Sequence, residues 1–283
     1  MIPGMTSLAA CARAALVAAL LLAAWASGQS RASAQRGTSH RQRDTPDASP
    51  PVQLIVPDLA RFENPNAVLI AGRVFPLGWS PGGLLAYVYE PPDEACGCYI
   101  FHLIVQDLAT NRIVWQHRHE SGEIREGDPD QLTSVQAVWR ARGATLSARL
   151  RALGIVRRAE PTLRAFATSA DGGLRVQIHT TTVGDDSPAG FAHITSYQVG
   201  LITAHGLKTI VRGGSIETPA NAAKTATPGI GIGPLEVESP GYLQSPYRSR
   251  VAVLVQETWR GWEGRPHVAT LVFVGADLGT AAR

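Results

Sequence analysis

Cysteine is scarce in this chain of 283 residues: there are three, and only Cys96 and Cys98 lie close together. An excess of charge is also lacking. The whole chain carries 26 basic and 23 acidic side chains, and setting aside residues 1–34, which hold Arg13 and Arg31 and no acid, leaves 24 against 23. Near-neutrality with no Lys/Arg stripe in the sequence gives no electrostatic footprint for nucleic acid. Long apolar runs are missing after residue 25. A bilayer-spanning helix needs about 20 such residues, so no stable membrane span is expected once the N-terminal segment is removed.

That segment reads as a signal peptide over residues 1–34. Arg13 gives a positive start, Ala14 to Trp25 an apolar stretch, and Ala32-Ser33-Ala34 a small-x-small cleavage pattern. Leu8-Ala9-Ala10-Cys11 has the look of a lipoprotein box but precedes the apolar stretch, which argues against a lipid on Cys11. Residues 35–52 are polar and proline-bearing, a disordered leader that cannot bury enough surface to offset ordering. The expected product is a periplasmic or secreted soluble protein with a single β-rich domain over 53–278.

Gly78-Trp79-Ser80-Pro81-Gly82 matches G-x-S-x-G, the nucleophile elbow of serine hydrolases. The elbow needs a helix after the serine and a backbone N–H just beyond it for the oxyanion. Here the next residue is Pro81, which has no N–H, and "LLAYVYE" follows as a strand. Ser80-Pro81-Gly82-Gly83 is therefore a turn.

Turn-then-strand units recur. Ser169-Ala170-Asp171-Gly172-Gly173 precedes "LRVQIHTTTV", and Ser245-Pro246-Tyr247-Arg248-Ser249 precedes "RVAVLVQETW". The first unit continues through Tyr99–Gln106, a turn at Asp107–Asn111, and Arg112–His117; the second through "HITSYQVGLIT" and "GLKTIV"; the third through "HVATLVFVGADL". Alternating patterns joined by short turns predict three antiparallel meanders. These units resemble the S-P-D-G turns of TolB-like and WD-repeat propellers. The three serines, however, stand 89 and 76 residues apart, against a propeller period of about 40–45. The fold class expected is mainly β, propeller-like or sandwich, with one amphipathic helix at about 129–153.

That helix is predicted to start at Asp128 as N-cap, with Pro129 at the first helical position and Gln131 at the third. Leu132, Val135, Trp139, Leu146, Leu150 and Leu153 share one face, Arg149 and Arg151 suit the negative end, and Gly154 the position beyond it. It reads as a cover on the sheets. Gly143, which costs about 1 kcal/mol relative to Ala, points to close packing against them.

"FPLGWSPGGLLAYVYE", "YIFHLIVQDLATNRIV", "LSARLRALGIV" and "GYLQSPYRSRVAVLVQETWRGWEG" occur in that order. Together they resemble a bacterial family of predicted secreted proteins of unknown function, over roughly residues 65–278. The departure is at Cys96-Gly97-Cys98. The resemblance implies export and supplies no catalytic residue.

Chemistry has two further candidates. Cys96 and Cys98 are expected to form a disulfide in an oxidising compartment; the tightness of so small a loop also admits a thiol-redox pair. His117 and His119 share a strand face, Glu123 follows, and His193 ends a P-x-G-x-x-H run. Together these resemble the two metal motifs of cupins, although Asn111 and Tyr197 stand where that pattern has other residues. Such a set would suit Zn, Mn, Fe or Ni in a metal-dependent enzyme; the plainer reading is solvent-facing histidines. Gly229-Ile230-Gly231-Ile232-Gly233 and residues 218–229 read as loops, and Asp185-Asp186 as a turn. Trp259, Trp262 and Tyr242 are a binding patch or buried strand aromatics. The function read from all this is non-catalytic binding or scaffolding, with no cofactor, for an unnamed protein or small-ligand partner.

Overall fold

The computed structural model describes residues 49–56, 69–93, 97–123, 128, 131–157, 162–168, 173–186, 190–213, 233–247, 249–261 and 264–279. All of them lie in one compact unit, Asp44–Arg283. The signal peptide, Cys96, Pro129, the Ser169–Gly172 corner, residues 218–229, most of the Gly229–Gly233 run and Trp262 lie outside the described residues.

The fold is mainly β, in three sheets. β1 (Leu69–Ala71) opens the first sheet, and the chain crosses at Gly72 into β2 (Arg73–Trp79) of the second. β3 (Leu84–Glu90), β4 (Cys98–Asp107) and β5 (Arg112–Glu123) continue that second sheet as an antiparallel meander. Helix α1 (Val135–Ala152) follows, and the short β6 (Val156–Arg157) returns to pair with β2, giving the order β5-β4-β3-β2-β6. β7 (Arg175–Val183), β8 (His193–Thr203) and β9 (Gly206–Gly213) form a separate three-stranded meander. β10 (Glu236–Gln244), β11 (Arg250–Gly261) and β12 (Gly264–Asp277) complete the first sheet, which β1 closes by pairing parallel to β12.

The expected corners form for local reasons. At Ser80 the backbone N–H donates to the carbonyl of Leu84 (2.9 Å), and the Leu84 N–H donates to Ser80 Oγ (3.0 Å). Ser245 repeats part of this device, its N–H donating to the carbonyl of Arg250 at 2.9 Å. At the β4–β5 turn, Asp107 Oδ1 accepts from the Ala109 N–H (2.9 Å), an Asx turn, and Asn111 takes the left-handed conformation (φ 58°) that asparagine tolerates best among non-glycine residues.

The sheets stack as a sandwich with the β1-β12-β11-β10 sheet in the middle. Tyr87 of β3 meets Phe273 of β12 edge-on at 5.0 Å, joining the middle sheet to the five-stranded one. Tyr197 of β8 donates to Glu257 of β11 on the opposite face, joining it to the three-stranded one. Val251 to Val255 are consequently buried at every position rather than at every second one. The same holds for β3: Leu85, Tyr87 and Tyr89 face the middle sheet, while Ala86 and Val88 face the helix. Two-sided burial is the reason these two strands are apolar nearly throughout. Each large aliphatic or aromatic side chain so buried contributes about 1.5–3 kcal/mol.

The helix begins later than the sequence predicts. Ser134, not Asp128, is the N-cap: its backbone is extended and its Oγ accepts from the Ala137 N–H at 3.1 Å. Leu132, placed on the helix by pattern, lies before it. The far end is as expected. Gly154, at φ 72°, donates to Arg151 O (2.9 Å), and the Ile155 N–H donates to Leu150 O (3.0 Å), a Schellman closure sealed by the buried Leu150 and Ile155. Gly143 makes room for the helix itself rather than for the sheet. A side chain there would come within 3.0 Å of the Trp139 indole one turn earlier.

Candidate functional site

Helix α1 lies on the face of the five-stranded sheet that carries Phe101, Leu103 and Val105, and buries Val135, Val138, Trp139, Leu146 and Leu150 against it. Beyond that core, on edge strand β5, Trp115, His117 and His119 point to the same side, because their cross-strand partners on β4 are Val105, Leu103 and Phe101. The predicted pairing of His117 and His119 on one strand face is thus observed, and the helix borders them. His119 Nε2 lies 3.0 Å from the carbonyl of Leu132, and its ring tilts over Tyr99 at 6.3 Å. His117 Nε2 lies 3.5 Å from Arg142 Nη1 on the helix. Burial, then the Arg142 charge, then His119 hold the His117 imidazole below its ordinary pKa. The Arg149 guanidinium stands over the Trp115 ring at 5.8 Å.

The other residues of the expected metal set go elsewhere. Glu123 is exposed at the end of β5, opposite Cys98, and its backbone carbonyl accepts from Gln131 Nε2 at 3.0 Å. His193 starts β8 in the three-stranded sheet, with Nδ1 3.2 Å from the carbonyl of Phe191. Two of the four groups are neighbours, therefore, and His193 stands on another sheet. Among the described residues no group of three or more His, Cys, Asp or Glu side chains is placed to hold a metal ion. Cys98 opens β4, and Cys96, its expected disulfide partner, lies outside the described residues.

Ser80 is buried, and its Oγ is occupied by the Leu84 N–H. Asp185 accepts from the Ala192 N–H at 2.8 Å, holding the β7–β8 connection as a turn residue would. Trp259 is half-buried and donates to Glu257, while Tyr242 packs on Phe166 at 5.2 Å, so these two aromatics do not share one surface patch.

Two buried polar centres escape a reading of the sequence. One is Glu257, fully buried, whose carboxyl accepts from Tyr197 Oη (2.6 Å) and Trp259 Nε1 (3.2 Å). The other is Gln106, which accepts from Tyr87 Oη (3.2 Å) and donates to Phe273 O (2.9 Å) and Asn111 Oδ1 (3.2 Å); Asn111 Oδ1 in turn accepts from the Gly275 N–H. The first joins the middle sheet to the three-stranded sheet, the second to the five-stranded sheet. Arg250 adds a third tie at the corner, donating from Nη1 to Gly82 O at 2.8 Å. Gly83 beside it has φ 96°, and any side chain there would collide with Arg250. The only sequence signal for these centres is polar residues inside otherwise apolar strands.

No helix among the described residues is long and apolar enough to cross a membrane. No protein-family model, no curated protein and no solved structure matches the chain.

Proposed function

We propose that this chain is exported and works by binding or scaffolding, with no catalytic machinery of its own. The observation that carries this reading is that four polar side chains at the turns and between the sheets are engaged in structural hydrogen bonds. Ser80 closes a turn, Gln106 and Asn111 tie one pair of sheets, and Glu257 ties the other. Such groups are spent on rigidity. A frame of that kind displays loops and strand faces in fixed positions, which is the usual way β scaffolds present a binding surface.

Export is supported by the leader at residues 1–34 and by the likeness to secreted proteins described above. A Cys96–Cys98 disulfide belongs to the same proposal, since such bonds persist in oxidising compartments.

Cell fractionation with N-terminal sequencing tests the compartment. The expected product is a soluble chain beginning at Gln35 that shows no free thiol when denatured without reductant. A chain still beginning at Met1, with free thiols, would contradict export. The non-catalytic part is tested separately with a fluorophosphonate probe of serine nucleophiles. No labelling is expected, and covalent modification of Ser80 would restore the hydrolase reading.

A further inference from the structure

The layer between the five-stranded and middle sheets is tied at one end and poorly bonded at the other. At the end near the β4–β5 turn, Gln106 and Asn111 bind the backbone of Phe273 and Gly275, and Arg250 binds Gly82. A side chain at Gly275 would strike the Leu108 carbonyl, so the backbones are in close contact there. His102 stands four residues back along β4 from Gln106, about 13 Å away at 3.3 Å per residue.

His102 and Tyr89 are cross-strand partners on the face of the five-stranded sheet that carries Tyr87 and Ile104 toward the middle sheet. Tyr87 meets Phe273, and Tyr89 meets Leu271, two residues earlier on the same side of β12. The cross-strand partner of Leu271 is Gln256. Tyr89, His102 and Gln256 therefore share one corner of the layer, where they are 1 %, 5 % and 4 % exposed. His102 Nε2 and Gln256 Oε1 have no hydrogen-bond partner among the described residues, and Tyr89 Oη lies against the Leu271 backbone outside hydrogen-bonding geometry. Gln256 Nε2 reaches only Thr258 Oγ1, at 3.5 Å. Buried polar groups left unpaired destabilise the packing around them, which makes this corner the weak end of the layer.

The groups around His102 make a cation unwelcome. From β5 come Arg118, its cross-strand partner, and Glu120, which opposes the effect of Arg118 but is already paired with it at 2.8 Å. From β3 comes Tyr89. The middle sheet brings Glu257, whose carboxyl is occupied by Tyr197 and Trp259, and His267, on the strand face of Ala269 and Leu271. A proton on His102 places a second cation beside Arg118 in a layer closed to water. Burial and Arg118 hold the imidazole neutral down to about 4, whereas one open to water protonates near 6.5. The open form thus binds the proton more tightly, and full protonation shifts the balance from closed to open by at most 10 to the power 2.5, about 300-fold.

The movement is confined by the chain itself. At Gly72 the backbone crosses between the sheets, and its N–H donates to Ala269 O at 2.8 Å, which keeps β2 beside β12. The corner of β3, β4 and β5 has no such tether.

We infer that this corner is an acid-operated latch: protonation of His102 parts Tyr89 and His102 from Leu271 and Gln256 while the Gln106 end holds, uncovering inter-sheet surface that is closed at neutral pH. The inference goes beyond the proposed binding role and depends neither on that role nor on export.

Hydroxyl-radical footprinting of the full chain, read by mass spectrometry between about pH 7.5 and about pH 4.5, reports side-chain exposure residue by residue across this window. Expected is a rise of about threefold or more in labelling of Tyr89 and Leu271 as the pH falls, with Tyr87 and Phe273 unchanged, as a local opening requires. His102→Gln, which keeps a neutral hydrogen-bonding side chain, should abolish the rise. Arg118→Gln, at an exposed position, removes the neighbouring cation and should move the onset to lower pH. Labelling that stays flat throughout, that rises equally at Tyr87 and Phe273, or that persists in H102Q overturns the inference, as does an unshifted onset in R118Q. Flat labelling would mean that the corner stays shut, an equal rise that the whole chain unfolds, and persistence in H102Q that another group titrates.

Discussion

His102 shows how one residue couples this fold to pH. It is buried in β4, Nε2 has no partner among the described residues, and its cross-strand neighbours are Tyr89 and Arg118. Burial first, then Arg118, lower its pKa to about 4, with Glu120 opposing. A base whose folded pKa is depressed favours the folded state fully above its unfolded value, 6.5, and that contribution is lost as pH falls from 6.5 toward 4. Urea melts should show stability declining across that window, with a slope approaching ~1.4 kcal/mol per pH unit from this residue. His102→Gln should flatten the decline; a variant with the parent's full acid slope would show that other groups carry it. The residue itself was easy to misjudge. In the sequence His102 sits among apolar neighbours without a motif, whereas His117 and His119 stand out through their spacing. Pattern found the conspicuous histidines, and burial, which depends on a second sheet far along the chain, singled out the other.

At the scale of elements, the helix start shows the limits of local signals. Asp128-Pro129 is a strong opening in isolation, yet the chain turns helical only after Ser134, whose Oγ caps the Ala137 N–H. The third helical position there is Ala137, so no Glu or Gln completes a capping box and the sequence advertises this start weakly. Docking decides it. Val135 and Val138 must meet the sheet face bearing Leu103 and Val105, and a helix begun at Pro129 is not needed for that. Ser134→Ala should cost about 1 kcal/mol in chemical unfolding. A cost near zero would mean that some other group caps the helix. The helix end was legible because Gly154 is demanded by backbone conformation, which local sequence does encode.

At the scale of the whole molecule, three meanders were readable from their turns, and their stacking was not. Proline-glycine corners and period-two alternation are short-range, but which sheet lies in the middle depends on contacts such as Tyr87–Phe273 and Tyr197–Glu257, between residues far apart in sequence. The short β1 and β6 escaped notice for the same reason. β1 has three residues and gains its place only by pairing with β12 near the other end of the described chain. Of the candidate site, the His117–His119 face was visible in advance. Its arginine border was not, since it needs the helix laid along β5.

A rigid frame with a doubly covered middle sheet underlies the whole account, and native-state hydrogen exchange measures it most directly. Amides of β11 and β12, shielded on both faces, should exchange slowest and through global unfolding, while those of edge strand β5 and of the three-stranded sheet exchange faster. If β11 amides exchanged as quickly as those of β5, the middle sheet would not be the core, and the arrangement described here would be wrong.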